Sequence, residues 1–451
     1  MREIALHDVA FSAARASLEK AARIVDPRCG IVKAIMPNWL ETGDAEVFAY
    51  GAVGCQASPL NLNPRFVFAG GASLDKDQSI AAAIGEAVER YSAAYVDPDD
   101  LVYASYDELH DEAIHPFKFN LYSKNQYEAE GFPFKPFTPE SKLSWTWGFS
   151  LQQNKPVLVP GTLTYLPLYV EDVGREARIT ASTSTGLACG NTMEEAILSA
   201  IGEVVERDSL VCFWLNRIPV TRIVVDEASW IFESYATRLS KPGLEYQICE
   251  VTTDLGIPTV FTLLTGNSTD GPMVNAGSQA NLSPTRATLK SLVEAAQGRP
   301  YIRFIIKTNP GWEYKPDFST LNSFQDHAAF YTRAPQHLDA LDFIGQPVRV
   351  KNLSEIPDLS TGSPKGDIEV FLKLLAKHDL DVIVIDLTPP DIEEIGLKVV
   401  RVLIPGLQLL HGDHRYPHLG GTRIYGMRQA LGFWGGVVTE RDLNPYPHPL
   451  P

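Results

Sequence analysis

Two short stretches of this chain carry acidic and basic groups at the same spacing. Residues 83–92 read A-I-G-E-A-V-E-R-Y-S and residues 200–209 read A-I-G-E-V-V-E-R-D-S, eight identities in ten positions at a separation of 117 residues. Each stretch offers two glutamates three residues apart, which share one helix face, and an arginine beside them. At 100° per residue, Asn191, Glu195, Glu203 and Glu206 fall within an arc of about 120°, opposite Ile197, Ile201, Val204 and Val205. Carboxylates gathered on one surface repel one another and raise each other's pKa unless cations neutralise them. Hard divalent ions such as Mg²⁺ take oxygen ligands and bridge to phosphates. The small-residue loop from Thr180 to Gly190, just before the second helix, adds backbone N–H groups and a helix N-terminus, which suits an anion. The chemistry this implies is a nucleotide–Mg²⁺ site with Glu86, Glu89, Glu195, Glu203 and Glu206 as metal ligands.

Blander readings compete. Thr192-x-x-Glu195 also fits a capping box, and Glu-x-x-Glu-Arg suits a solvated helix face. A solvated face, however, has no reason to repeat letter for letter. Glu294-x-x-Gln297-x-Arg299 places three polar groups at one helix end. His411, His414 and His418 sit near Asp413 in a loop that could hold a metal. No Ser-His-Asp order, P-loop or Gly-x-Gly-x-x-Gly is present.

The elements that must position these groups follow from periodicity and breakers. Helices are expected at about 7–25, 77–95, 192–215 and 284–297. Strands are expected near 45–54, 65–69, 157–160, 219–225, 244–251, 258–264, 381–386 and 399–404. Residues 98–150, rich in Tyr, Phe, Pro and Lys, read as loops and short elements over the site. The end of the chain, N-P-Y-P-H-P-L-P, can form neither helix nor central strand. The fold class expected is α+β, one large unit of two pseudo-repeated halves spanning 1–439, followed by a Pro-rich tail at 440–451.

The 451 residues carry 39 basic and 55 acidic side chains, a formal net charge of −16. That excess argues against a general nucleic-acid grip. Five scattered cysteines without a Cys-x-x-Cys indicate neither a disulfide framework nor a cysteine zinc site. The start has no signal-peptide core and no apolar run approaches a membrane span, so a cytoplasmic protein without membrane contact is expected.

With these motifs in view, the sequence resembles the YcaO family of ATP-dependent, backbone-amide-modifying enzymes over about residues 50–451. The resemblance rests on G-E-A-V-E-R-Y at 85–91, on S-T-G-L-A-C-G-N at 184–191 leading into Glu195 and Glu203-x-x-Glu206-Arg207, on Glu294-x-x-Gln297-x-Arg299, and on V-L-I-P-G-L at 402–407. It implies an ATP and Mg²⁺ site without a P-loop, held by the five glutamates. Ser184, Asn191, Arg207, Glu294, Gln297 and Arg299 would be neighbouring nucleotide contacts. The family's N-terminal serine has Ser12 and Ser17 as counterparts, and no Lys aligns with its N-terminal lysine. The Pro447-x-Pro449-x-Pro451 ending is similar to that of azoline-forming members, whose tail runs back to the active site. That resemblance implies cyclodehydration of Cys, Ser or Thr in a ribosomally made precursor peptide, with the Pro451 carboxylate orienting or deprotonating the substrate heteroatom and Arg207 stabilising charge. Thioamide or amidine formation, or a non-catalytic scaffold, are the alternatives. The partners implied are a precursor with its leader, a separate leader-binding protein and, as in microcin-type synthetases, a flavin-dependent azoline dehydrogenase. A hetero-oligomer would result, with a homodimeric core as one arrangement.

Overall fold

The computed structural model describes residues 3–56, 66–166, 168, 176–269, 271–433 and 436–450. Its longer helices are α1 (Ala14–Ala21), α2 (Lys76–Ala94), α3 (Met193–Asn216), α4 (Pro284–Thr308), α5 (Phe324–Arg333), α6 (Pro364–Ala376) and α7 (Arg423–Ala430). The strands are β1 (Val32–Pro37), β2 (Phe48–Gln56), β3 (Phe66–Ser73), β4 (Val102–Ala104), β5 (Leu143–Ser150), β6 (Lys155–Pro160), β7 (Leu187–Gly190), β8 (Thr221–Val224), β9 (Leu244–Glu250), β10 (Thr259–Ser268), β11 (Gly271–Ala280), β12 (Arg349–Asn352), β13 (Ile383–Asp386) and β14 (Lys398–Leu403). They form three sheets: β1-β2-β3, β11-β10-β9-β8-β12, and β4-β5-β13-β14-β7 with β6 paired to β5. The mixture of helices and several mainly antiparallel sheets is the α+β class the sequence implies.

Helix α3 is the beam of the structure. Of its 24 residues, 18 are buried, the pattern of a helix enclosed on nearly every side rather than lying on a surface. Thr192 caps its start by accepting the Glu195 N–H. Ile197, Ile201 and Val205 pack with Val382, Val384, Val400 and Val402 of β13, β14 and their approach. The helix also touches β7, β11, α6 and α7. Because its apolar side is fixed against the β13–β14 sheet, its glutamate side must face the other way, toward α2 and α4.

Two strand–helix pairs flank it, β3 with α2 and β11 with α4. Both rely on backbone approaching backbone. A Cβ on Gly71 would lie 2.3 Å from the Ser79 carbonyl oxygen, and one on Gly277 would lie 2.3 Å from that of Ser291. This explains why β11, a ten-residue strand in full register with β10, is absent from the sequence reading. Its small residues carry little strand propensity, yet they are what lets α4 lie directly on the sheet. Strand β5 was likewise read as loop, although its central position between β6 and β13 buries nearly all of it.

Helix α4 runs through Pro300 to Thr308, eleven residues beyond the end expected at Gln297. Proline removes one helical hydrogen bond and ordinarily breaks the helix. Here Asp44 clamps both sides of the break, accepting from Arg299 Nε at 2.6 Å and from Arg303 Nη2 at 2.6 Å. Helix α1 is shorter than its periodicity suggests, because residues before Ala14 are drawn out along α3: the His7 and Ser12 N–H groups donate to Glu194 and Glu195.

Asp208, fully buried in α3, is paired to Arg423 of α7 through two contacts of 2.6 Å, and Arg423 also reaches Asp254 at 2.9 Å. Removing one partner of a buried pair strands the other charge, at a cost of about 3–5 kcal/mol. Arg423→Ala is therefore expected to lower unfolding stability by about that amount in urea titration. A loss within the scatter of a surface substitution would contradict the clamp.

Candidate active site

Four glutamates on α2, α3 and α4 are tethered by the same device: each accepts a backbone N–H from the strand or turn it packs on. Glu86 accepts from Gly70 at 2.7 Å, Glu89 from Cys189 at 2.8 Å, Glu203 from Gly186 at 3.1 Å and Glu294 from Ser278 at 2.6 Å. These bonds hold the carboxylates still while leaving lone pairs free. At Gly186 the geometry demands glycine, since φ is +84° and a Cβ would stand 2.3 Å from the Val402 carbonyl oxygen. Glu206, buried on α3, accepts from the Ser278 hydroxyl at 2.5 Å and from Gln279 at 3.3 Å. The acidic groups of three helices thus meet over β3, β7 and β11.

Cations cover only part of this charge. Arg90 pairs with Glu86 at 3.1 Å, and Arg207 reaches Glu206 at 2.5 Å and Glu203 at 3.6 Å. Glu89 and Glu294, by contrast, are held by backbone N–H groups. Withdrawal from water, with the Glu86 charge adding to it, pushes Glu89 up to about 8. Withdrawal from water and then Glu206 push Glu294 up to about 7. Glu203 is also raised, chiefly by burial. Burial disfavours the charge on Arg207, but Glu206, Glu203, Glu294 and Glu86 outweigh it and keep the guanidinium charged. Lys290, one turn before Glu294, is lowered by burial and opposed by Glu206 and Glu294, which places it in the same group. Arg401, lowered to about 10 by burial, faces Glu203 and Arg90 and donates to the Thr183 carbonyl at 2.8 Å. An under-neutralised oxygen donor set of this kind fits one or more divalent cations, whose charge would complete the balance.

A second polar group adjoins it along β7. Asn191 donates to the Ser17 hydroxyl at 2.8 Å, and Lys20 donates to the Asn191 carbonyl at 3.2 Å and to that of Gly396 at 2.6 Å. Glu195 accepts from Ser12 at 2.5 Å and Asn191 at 3.0 Å. Glu195 therefore lies with the N-terminal segment, while the other four expected metal ligands lie together. It is more than a cap, since it also ties down residues before α1. Gln297 projects over Gly70, where a Cβ would stand 2.9 Å from its amide nitrogen. Ser184 sits in the turn before β7, its carbonyl accepting from Leu187. Arg299 is placed elsewhere: it is enclosed and committed to Asp44 and the Asn267 carbonyl, both at 2.6 Å. Ser17 and Lys20 of α1, Lys290 and Arg401 complete the surroundings. The Ser17-x-x-Lys20 spacing, one helical turn, is the signal that could have found the lysine.

The C-terminal segment docks against the same beam. The Asn444 N–H donates to Leu215 at 2.7 Å, Trp214 Nε1 to Tyr446 at 2.8 Å, Tyr331 to Pro447 at 2.7 Å, and His327 Nδ1 meets the His448 carbonyl at 3.2 Å. The path runs back along α3 from its C-terminal end, and His448 comes within electrostatic reach of Arg207. Leu450 is buried. Pro451, expected to act on the substrate, lies outside the described residues.

Residues 70–408 match the family described as YcaO cyclodehydratase, ATP- and Mg²⁺-binding. The chain belongs to the YcaO family. An uncharacterised protein of Methanothermobacter thermautotrophicus is 28% identical over 362 residues, covering 78% of this chain and 84% of its own. Among solved structures, a heterocyclase in complex with substrate and cofactor matches all of this YcaO chain with a TM-score of 0.78 and 25% identity. This chain spans 59% of that heterocyclase's length. The YcaO protein of Methanopyrus kandleri bound with AMPPCP and Mg²⁺ shares the fold, with a TM-score of 0.61 and 19% identity over 88% of this chain and 92% of its own. Among the described residues, no helix is long and apolar enough to cross a membrane.

The raised carboxyls give a sign that can be tested. Between the ordinary glutamate range and about pH 8, the folded YcaO chain holds protons at Glu89 and Glu294 that the unfolded chain has released. Stability without metal therefore falls as pH rises through that window. Divalent cations compete with those protons, so Mg²⁺ affinity is expected to climb between about pH 6 and pH 9. Glu89→Gln should flatten the upper part of the rise. Titration calorimetry showing an affinity independent of pH would contradict the assignment.

Proposed function

We propose that this chain is an ATP-dependent cyclodehydratase that converts Cys, Ser or Thr of a ribosomally made precursor peptide to thiazolines and oxazolines. The observation that carries the reading is the docked tail. A Pro-rich end is ordinarily frayed, yet residues 447–450 of this one are buried and the segment is fastened to α3 through Leu215 and Trp214. A catalytic unit over residues 1–439 would then be completed by the segment 440–451.

The residues divide the work. Glu86, Glu89, Glu203, Glu206 and Glu294 would hold Mg²⁺, which screens the triphosphate and draws charge from its oxygens when bound. Asn191, Ser17, Lys20 and Glu195 lie at the other end of β7, where the rest of the nucleotide would extend. Arg207, held by Glu203 and Glu206, and Arg90, held by Glu86, keep positive charge beside the transferring phosphoryl group. The substrate heteroatom gives up its proton and attacks the preceding backbone carbonyl, which closes the ring. The resulting oxyanion takes the γ-phosphoryl group from ATP, releasing ADP, and phosphate then departs as the former amide nitrogen loses its proton and the C=N bond forms. The attacking group belongs to the peptide, so the protein needs no nucleophile of its own; its part is orientation and charge. The Pro451 carboxylate is the group proposed to orient or deprotonate the heteroatom. Ser184 and Gln297 would be further nucleotide contacts, whereas Arg299 would act by holding α4 straight across Pro300. A separate leader-binding protein would deliver the precursor, and a flavin-dependent dehydrogenase, as in microcin-type synthetases, would act only where the azolines are oxidised to azoles.

Mass spectrometry of the precursor, incubated with this protein, its partner and ATP–Mg²⁺, is expected to show a loss of about 18 Da per ring, one water each. Deleting Pro447–Pro451 should abolish that loss and leave ATP binding largely intact, whereas Glu203→Gln and Glu206→Gln should lose ATP–Mg²⁺ affinity. A gain of about 16 Da with sulfide supplied, oxygen exchanged for sulfur, would move the chain to thioamide formation. ATP binding without any mass change would leave a scaffold.

A further inference from the structure

His327 of α5, His411 of the segment after β14 and His448 of the tail are each buried, and they come from three parts of the chain 84 and 37 residues apart, counted as 411 − 327 and 448 − 411. One ring nitrogen from each lies within 4.8 Å of the others. Among the described residues, these three thus bring one ligand atom each close enough to share a single ion. The rings of His327 and His448 are stacked with centroids 3.9 Å apart, and His411 meets them at 5.7 and 5.2 Å.

The hydrogen bonds decide what these rings can offer. His327 Nδ1 faces the His448 carbonyl at 3.2 Å, and His448 Nε2 faces the His411 carbonyl at 2.8 Å. A carbonyl can only accept, so each of these nitrogens carries its ring's proton when the imidazole is neutral. His327 is then left with a bare lone pair on Nε2, while His448 Nδ1 accepts a long contact from the Leu450 N–H at 3.4 Å, which an ion would have to displace. His327 Nε2 and His411 Nδ1 are buried without a hydrogen-bond partner, a costly arrangement for polar atoms in a protein interior. Burial keeps His327 and His411 well below the usual histidine range and His448 at about 4, so all three are neutral. His327, donating one N–H to a backbone carbonyl and presenting its other nitrogen, has the arrangement of a metal-bound histidine. No carboxylate or thiolate belongs to the trio, which selects a borderline first-row ion over Mg²⁺ or Ca²⁺.

We propose that His327, His411 and His448 form a zinc-type site that pins the C-terminal tail to α5 and to the segment after β14. It is separate from the carboxylate group and does not rest on the peptide-modifying reading. Three protein nitrogens leave a fourth coordination position. His414 adjoins the trio, with its ring centroid 5.6 Å from that of His327 and its Nδ1 likewise buried and unpartnered. The ion would convert a tail held by neutral hydrogen bonds into one fastened at a fixed point three residues before the chain end. The unsatisfied nitrogens would be satisfied by the same bond.

Cobalt titration reads the site without any activity assay. Protein stripped by chelator is held in excess Mg²⁺ and ATP, so that the carboxylates are occupied, and Co²⁺ is added. Visible d–d bands of tetrahedral intensity should saturate at one equivalent per chain, without a thiolate charge-transfer band, and Zn²⁺ should bleach them. His448→Ala and His327→Ala should each weaken Co²⁺ binding by at least about tenfold, one such factor being about 1.4 kcal/mol. Circular dichroism and retained ATP binding would show these variants folded, and His411→Gln serves where a variant does not fold. Absence of tetrahedral bands in the unmodified protein, or bands surviving in every histidine variant, would overturn the proposal and leave a neutral histidine core.

Discussion

Crowded negative charge withdrawn from water is the constraint on which the structure turns. Glu86, Glu89, Glu203, Glu206 and Glu294 share one region, with Arg90, Arg207, Lys290 and Arg401 as basic groups beside them. A folded chain pays for such a group unless something else neutralises it. The fold meets part of that cost by giving four of the five a backbone N–H each. On the proposed reading the rest falls to a divalent cation from outside, and the site would be stabilised most when it is occupied.

Holding the group together takes three helices fixed from different sides. The opposite face of α3 is buried against β13 and β14, α2 lies on β3, and α4 lies on β11. Gly71 and Gly277 allow the close approach in the last two, and Asp44 keeps α4 continuous past its proline. The tail uses the same beam from its other end, through Leu215 and Trp214. Binding face and tail groove are therefore two stretches of one helix, and displacement of α3 would disturb both.

Much of the site was legible because its residues repeat. The duplicated Glu-x-x-Glu-Arg fixed four of the carboxylates, and Glu294 and Gln297 followed from a motif at the end of a clear helical run. What the sequence hid has physical reasons. Lys20 and Ser17 reach Asn191 only because α1 packs on α2 and so comes beside the turn between β7 and α3, contacts 171 and 174 residues long in the chain. Arg299 looks like a ligand in one dimension and is an ion-pair partner of Asp44 in three. Strands β5 and β11 escaped because burial and close helix contact favour residue types that periodicity does not recognise. The histidines read as a local cluster at 411–418 divide in space: His418 turns to Thr180 and Tyr122, while His411 joins residues from α5 and the tail.

The central claim is that the glutamates of α2, α3 and α4 hold metal and nucleotide together. Crystals grown with Mn²⁺ and a non-hydrolysable ATP analogue, measured at the manganese absorption edge, test it most directly. The account predicts anomalous peaks at about 2.0–2.2 Å from carboxylate oxygens of all three helices, with the analogue extending toward Asn191 and Lys20. Manganese bound to one helix alone, or a nucleotide lying away from β7, would contradict it.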